Sequence, residues 1–177
     1  MCSPMNYVYA LNILMECYSS IDNIPKASDR LDQSGIPDFK LIFPGTKWCG
    51  DGDIAQHDDD LGIYREADKC CRAHDKCFDF IPSGESKHNL TNADQVSRMH
   101  CDCDLEFYYC LKNVSSMESI MIGKIYFNDV GKCYKRDYPI IRCLSYKNFL
   151  FFQKCLVYEL DESKEKVYQY FDLPYFI

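Results

Sequence analysis

No apolar run in this chain is expected to span a bilayer. Tyr7 to Met15 is broken by Asn12 and falls well short of the ~20 residues a spanning helix needs, so no transmembrane anchor is expected. Internal repeats, coiled-coil heptads and low-complexity tracts are also missing. Basic residues are outnumbered, 20 Lys and Arg against 27 Asp and Glu, and an acidic chain without a basic stripe gives no support to nucleic-acid binding. Histidine is scarce, with four residues, whereas cysteine is abundant, with 12 in 177. Such a density belongs to oxidising, extracellular compartments. The length suits one domain.

One of the four histidines lies inside a cysteine cage, Cys70-Cys71-Arg72-Ala73-His74-Asp75-Lys76-Cys77. Residues i, i+4 and i+7 share a helix face, so Cys70, His74 and Cys77 line one side of a helix expected from about Tyr64 to Phe80. A second helix, expected over Ala93 to Leu111, carries Cys103 and Cys110, again seven apart. If the two pack antiparallel, bridges Cys70–Cys110 and Cys77–Cys103 keep a single register. Position 106 then faces His74, and Asp104 lies two residues away, about 3 Å of helical rise. An Asp104–His74 pair follows, given those bridges, although sequence alone permits many other connectivities.

Cys71 points about 100° away from Cys70 around the helix, and Cys49 in Trp48-Cys49-Gly50-Asp51-Gly52 is its expected partner. Two glycines bracketing one residue leave the backbone carbonyls of that loop unhindered. Hard cations such as Ca²⁺ take carbonyl and carboxylate oxygens, so this loop and Asp75 together read as a metal site. A zinc site is the competing reading of the cysteine–histidine cluster. Against it, Cys101-x-Cys103 is too tight for the usual knuckle, and the ten cysteines after Leu41 divide evenly into bridges.

These stretches resemble the group III, venom-type secreted phospholipase A2 family. The resemblance rests on Phe43-Pro44-Gly45-Thr46, Trp48-Cys49-Gly50-x-Gly52 and the Cys70 to Cys77 segment. It continues through Gly84-Glu85-Ser86-Lys87-His88, Cys101-Asp102-Cys103-Asp104, Cys110-Leu111-Lys112-Asn113, Gly123-Lys124-x-Tyr126-Phe127-Asn128 and Lys166 to Leu173. It implies Ca²⁺-dependent hydrolysis of the sn-2 ester of glycerophospholipids. His74 would be the general base and Asp104 its orienting carboxylate. Tyr126 would hydrogen-bond Asp104, and the Gly50 N–H would be the oxyanion donor. The carbonyls of Trp48, Gly50 and Gly52 and the carboxylate of Asp75 would hold Ca²⁺. The same likeness implies bridges Cys101–Cys133 and Cys143–Cys155. Asp51 departs from the family pattern, as does Asn89, which stands where a glycine is common.

The fold expected is mainly α and disulfide-rich: two long antiparallel crosslinked helices, a Ca²⁺-binding loop and a small β component, with short strands at 126–128 and 133–135. Residues 1–40 read as a signal and propeptide-like segment and 41–177 as the catalytic domain, a secreted monomer starting at Leu41. Sequons at Asn89 and Asn113 make it a candidate glycoprotein. From Leu41 onward 22 acidic residues outnumber 17 basic ones. Contact with a phospholipid membrane surface is therefore expected from apolar side chains, with candidates Leu41, Ile42 and Phe43, Phe78, Phe80 and Ile81, and Phe149 to Phe152. The alternative functional classes are a catalytically silent binding or toxin module and a plain disulfide scaffold.

Overall fold

The computed structural model describes residues 41–148 and 153–177. The 1–40 segment, with Cys2 and Cys17, and the Phe149 to Phe152 run lie outside the described residues. The chain divides into two compact units, Met1–Arg72 and Ala73–Ile177.

The described part of the first unit is a folded-back loop followed by most of helix α1 (Arg65–Asp75). Its loop opens with Phe43-Pro44-Gly45-Thr46, in which both the amide and the hydroxyl of Thr46 donate to the Phe43 carbonyl. Proline at the second position and glycine at φ 83° at the third are what a type II turn requires. An antiparallel bridge between Ile42 and Gly50 closes the loop, and Cys49–Cys71 ties it to α1. Phe43, Trp48, Ala67, Cys70 and Cys71 are buried. Glu66 and Asp68 in the first turn of α1 complement its positive end.

In the second unit the chain leaves α1 by a turn in which the Cys77 amide donates to the His74 carbonyl. Strand β1 (Phe80–Ile81) pairs antiparallel with β4 (Arg98–Met99). Between them, β2 (Ser86–Lys87) and β3 (Leu90–Thr91) form a two-residue hairpin. Its turn residues, His88 and Asn89, both have positive φ, 56° and 61°, the pair of conformations that matches strand twist in such hairpins. Asn89 is the tolerated substitute for glycine at that place. Helix α2 (Cys101–Val114) starts where the His100 ring accepts the Asp102 amide, and ends at Ser115 in the left-handed region. Helix α3 (Met117–Ile125) is capped by the Ser116 hydroxyl and runs into a π-helical turn, Tyr126–Val130. Four longer strands follow: β5 (Lys132–Asp137), β6 (Ile140–Asn148), β7 (Gln153–Leu160) and β8 (Val167–Asp172), pairing β5 with β8 and β6 with β7.

Apolar side chains from both kinds of element fill this unit, with Ile81, Leu111, Phe127, Tyr134 and Phe176 almost wholly excluded from water. Asn128 stitches the C-terminal segment down, donating to the Phe176 carbonyl and accepting its amide. Gly123 leaves room for the Phe176 ring, which a Cβ there would approach to 2.5 Å. Cys77–Cys103, Cys101–Cys133 and Cys143–Cys155 staple the unit, and Cys70 and Cys110 are disulfide-bonded as well.

The expectation of a mainly α frame of two long antiparallel crosslinked helices is corrected. Among the described residues strand occupies 31% and helix 28%, and the two cysteine-bearing helices have only 11 and 14 residues. Each loses a stretch to strand. Beyond Asp75 the apolar residues Phe80 and Ile81 pair with Met99 and Arg98. Ahead of α2, Asn92 accepts the Asp94 amide through its side chain, a local bond that competes with helix. The strand expected over Tyr126–Asn128 is instead the π-helical continuation of α3. The strand expected at Cys133–Lys135 is present as part of β5.

Candidate active site

His74 occupies the last turn of α1, one residue before its end. Its Nε2 lies 2.8 Å from Oδ1 of Asp104, in the first turn of α2. The same carboxylate oxygen accepts the Tyr126 hydroxyl at 2.7 Å, and that hydroxyl is 3.3 Å from Nε2. Tyr126 begins the π-helical turn after α3, a distortion frequent at functional sites. The Cys77–Cys103 bridge joins positions three residues after His74 and one before Asp104, clamping the pair.

The pair is shielded on its protein side. Asp104 is 1% exposed, and its Oδ2 is buried with no hydrogen-bond partner among the described residues. The positive end of α2 favours the anionic carboxylate there. The His74 ring stacks on Phe107 at 4.5 Å and 22° and meets the edge of Tyr126 at 5.0 Å, so its plane is held on two sides. With Nε2 facing a carboxylate, Nε2 carries the proton, and the Nδ1 lone pair is left to accept one. Asp75, the neighbour of His74, is exposed.

In the first unit, the Trp48-Cys49-Gly50-Asp51-Gly52 loop has the chemistry of an oxygen-rich cation cradle. The Gly50 and Gly52 carbonyls accept no hydrogen bond from any described residue. A Cβ at Gly50 would lie 2.0 Å from the Leu41 carbonyl oxygen, so any larger residue there must displace backbone. Gly52 adopts φ 68°, a conformation glycine takes without penalty. A hard divalent cation fits carbonyl donors of this kind. Among the described residues no three His, Cys, Asp or Glu side chains cluster as a metal site. Zinc loses its sulfur ligands, since all ten cysteines from Cys49 to Cys155 are in disulfides.

A family model described as phospholipase A2 matches residues 42–137. A phospholipase A2 of Apis dorsata is 47% identical over 135 residues, 75% of this chain and 98% of that one. The phospholipase A2 of Apis mellifera is 44% identical over 147 residues, 82% and 85% of the two chains. The chain belongs to the group III phospholipase A2 family. The phospholipase A2 heteromtoxin of Heterometrus laoticus is 43% identical over a shorter stretch of 100 residues, 54% of this chain and 59% of that one. The family match stops at Asp137, so β6, β7 and β8 of this phospholipase lie beyond it.

Two side chains beside these groups were not singled out in the sequence. Phe107, the platform under His74, lies three residues after Asp104 and so shares its helix face. Asp68 is wholly buried against the loop. The signal for it was a carboxylate three residues before Cys71, on the face that α1 must bury. Of the residues expected at a lipid surface, Phe43 and Ile81 are buried, 5% and 0% exposed, and belong to the core. Phe78 is 92% exposed.

Proposed function

We propose that this phospholipase A2 is a secreted, calcium-dependent enzyme that cleaves the sn-2 ester of glycerophospholipids to a fatty acid and a lysophospholipid. The observation that carries the reading is the His74–Asp104–Tyr126 constellation, in which a buried carboxylate fixes an imidazole with one nitrogen left to act. His74 takes a proton at Nδ1 from the attacking water and later returns it to the departing alkoxide. Asp104 keeps the proton on Nε2 and stabilises the imidazolium while it lasts. Tyr126 and the Phe107 ring hold that geometry. The Gly50 N–H donates to the oxyanion. Asp75 and the carbonyls of Trp48, Gly50 and Gly52 would hold Ca²⁺, which supplies Lewis-acid polarisation of the ester and a counter-charge for the phosphate.

Ten disulfide-bonded cysteines support an oxidising, extracellular setting. Phe78, standing almost free on the chain turn after α1, supports insertion of apolar side chains into a phospholipid surface by a monomer. Fatty-acid release from phosphatidylcholine vesicles tests the reading. Turnover with Ca²⁺, lost with chelator and lost in His74→Gln, is the expected result. No release under any condition would leave a catalytically silent binding module.

A further inference from the structure

The carboxylate of Asp68 is 0% exposed and is spent entirely on backbone. Its Oδ1 accepts the Trp48 amide at 2.8 Å and its Oδ2 accepts the Gly62 amide at 2.8 Å. The Lys47 amide lies between the two oxygens, at 3.0 and 2.9 Å. Among the described residues no lysine or arginine pairs with it. A buried anion is costly unless it is well bonded, and three converging N–H donors are what bond this one. Gly62 is held close by the same carboxylate, and a Cβ there would stand 2.2 Å from the Gly45 carbonyl oxygen.

The geometry points to Asp68 as the positioning residue of the cation loop: it fixes the backbone at Trp48 so that the loop's carbonyls are aimed before calcium arrives. This rests on the calcium reading above. Trp48 is caught between two anchors. Its amide is bound to Asp68, and the next residue, Cys49, is held by its disulfide and by its carbonyl, which accepts the Phe43 amide. Little rotation remains for the carbonyl in between. A second latch holds the side chains: the Trp48 indole N–H donates to the Asp60 carbonyl at 3.1 Å, and the Lys47 ammonium binds the Asp60 carboxylate. The carboxylate cannot be replaced by its amide, because in Asp68→Asn one oxygen becomes an NH2 donor facing the Trp48 or Gly62 amide. A divalent cation bound by this loop would also lower the cost of burying the Asp68 charge.

Trp48 is the single tryptophan of the chain, so its fluorescence reports on this loop alone. The test is a calcium chloride titration of the oxidised, full-length protein followed by that fluorescence, for wild type, Asp68→Asn and Asp60→Asn. Expected is a Ca²⁺ affinity about 10–100-fold weaker in Asp68→Asn, the usual cost of losing a residue that orients metal ligands. Asp60→Asn should change it less than about threefold, since the backbone anchor remains. Equal affinity in wild type and Asp68→Asn, with only a lowered Tm in the variant, overturns the positioning role and leaves the calcium reading standing. A wild type that never responds to Ca²⁺ removes the calcium reading, and this role with it. Amide exchange in wild type with chelator stands independently of how the variant folds. Slow exchange at Lys47, Trp48 and Gly62 without Ca²⁺ supports a pre-formed loop, and amides that open until Ca²⁺ is added contradict it.

Discussion

The two regions on which the proposed mechanism draws are built from different atoms. Around His74 the groups in use are side-chain atoms on helical backbone: an imidazole, a carboxylate and a phenol, stacked on Phe107 and stapled by Cys77–Cys103. Between Trp48 and Gly52 they are backbone carbonyls and an amide, and the side chains matter only for what they hold in place. Damage should therefore be expressed differently. In the first region, removing the residue removes the chemistry. In the second, the chemistry is lost when the backbone moves, so a single methyl group or a remote carboxylate is as damaging as a missing ligand.

The largest effect should come from His74→Gln, with turnover down by about 10²–10⁴-fold or more and the Trp48 fluorescence response to Ca²⁺ unchanged. Pairing those two readouts separates the regions. A loss of Ca²⁺ response in that variant would break the comparison. Next, Gly50→Ala should cost about 10²–10³-fold in rate together with Ca²⁺ affinity, because its Cβ would meet backbone, the Leu41 carbonyl, at 2.0 Å. Ca²⁺ affinity kept while rate falls would show that only the oxyanion donor moved. Tyr126→Phe removes one of two donors to Asp104 Oδ1 but leaves the His74 bond. About 10–100-fold in kcat is expected, in line with ~1.5–3 kcal/mol for a bond to a charged group, with Ca²⁺ affinity unaffected.

The smallest effect concerns neither region and serves as a control. Burial pushes the Asp79 carboxyl up, but the bonds from Lys87 and Tyr134 outweigh it and hold the group below the usual carboxylate range. The same contact, after burial, raises the Tyr134 phenol. A depressed carboxyl contributes stability above its unfolded value of about 3.9, lost as pH falls through its folded value. Asp79→Asn should therefore flatten the acid limb of the stability curve, measured by Tm from about pH 5 downward, without altering kcat at neutral pH.

The side-chain region was the legible one. Helical period and paired cysteines bring His74 to Asp104 by arithmetic, and a helix ending five residues early does not disturb that, because His74 still lies inside α1. The loop was legible as glycines and carbonyls but not as a held object, since Asp68 acts through bonds to amides that every residue possesses. The β-rich part was harder still. Pairing of β6 with β7 shifts register between Ile140 and Arg142, between Cys143 and Ser145, and between Ser145 and Tyr146. Such slips erase the two-residue alternation by which a strand is read. Tyr126 was legible as a partner of Asp104 through the family likeness, but its π-helical backbone was not. Its aromatic neighbours suggest strand, while hydrogen bonding to Ile122 and Gly123 keeps it on the end of α3.

The most direct measurement is hydrolysis of phosphatidylcholine vesicles in oxygen-18 water with Ca²⁺, for wild type and His74→Gln. Water activated at the imidazole should place the heavy oxygen in the sn-2 fatty acid and none in the lysophospholipid hydroxyl, with release in the variant lower by about 10²-fold or more. Label in the lysophospholipid, or release that continues undiminished without His74, would contradict it.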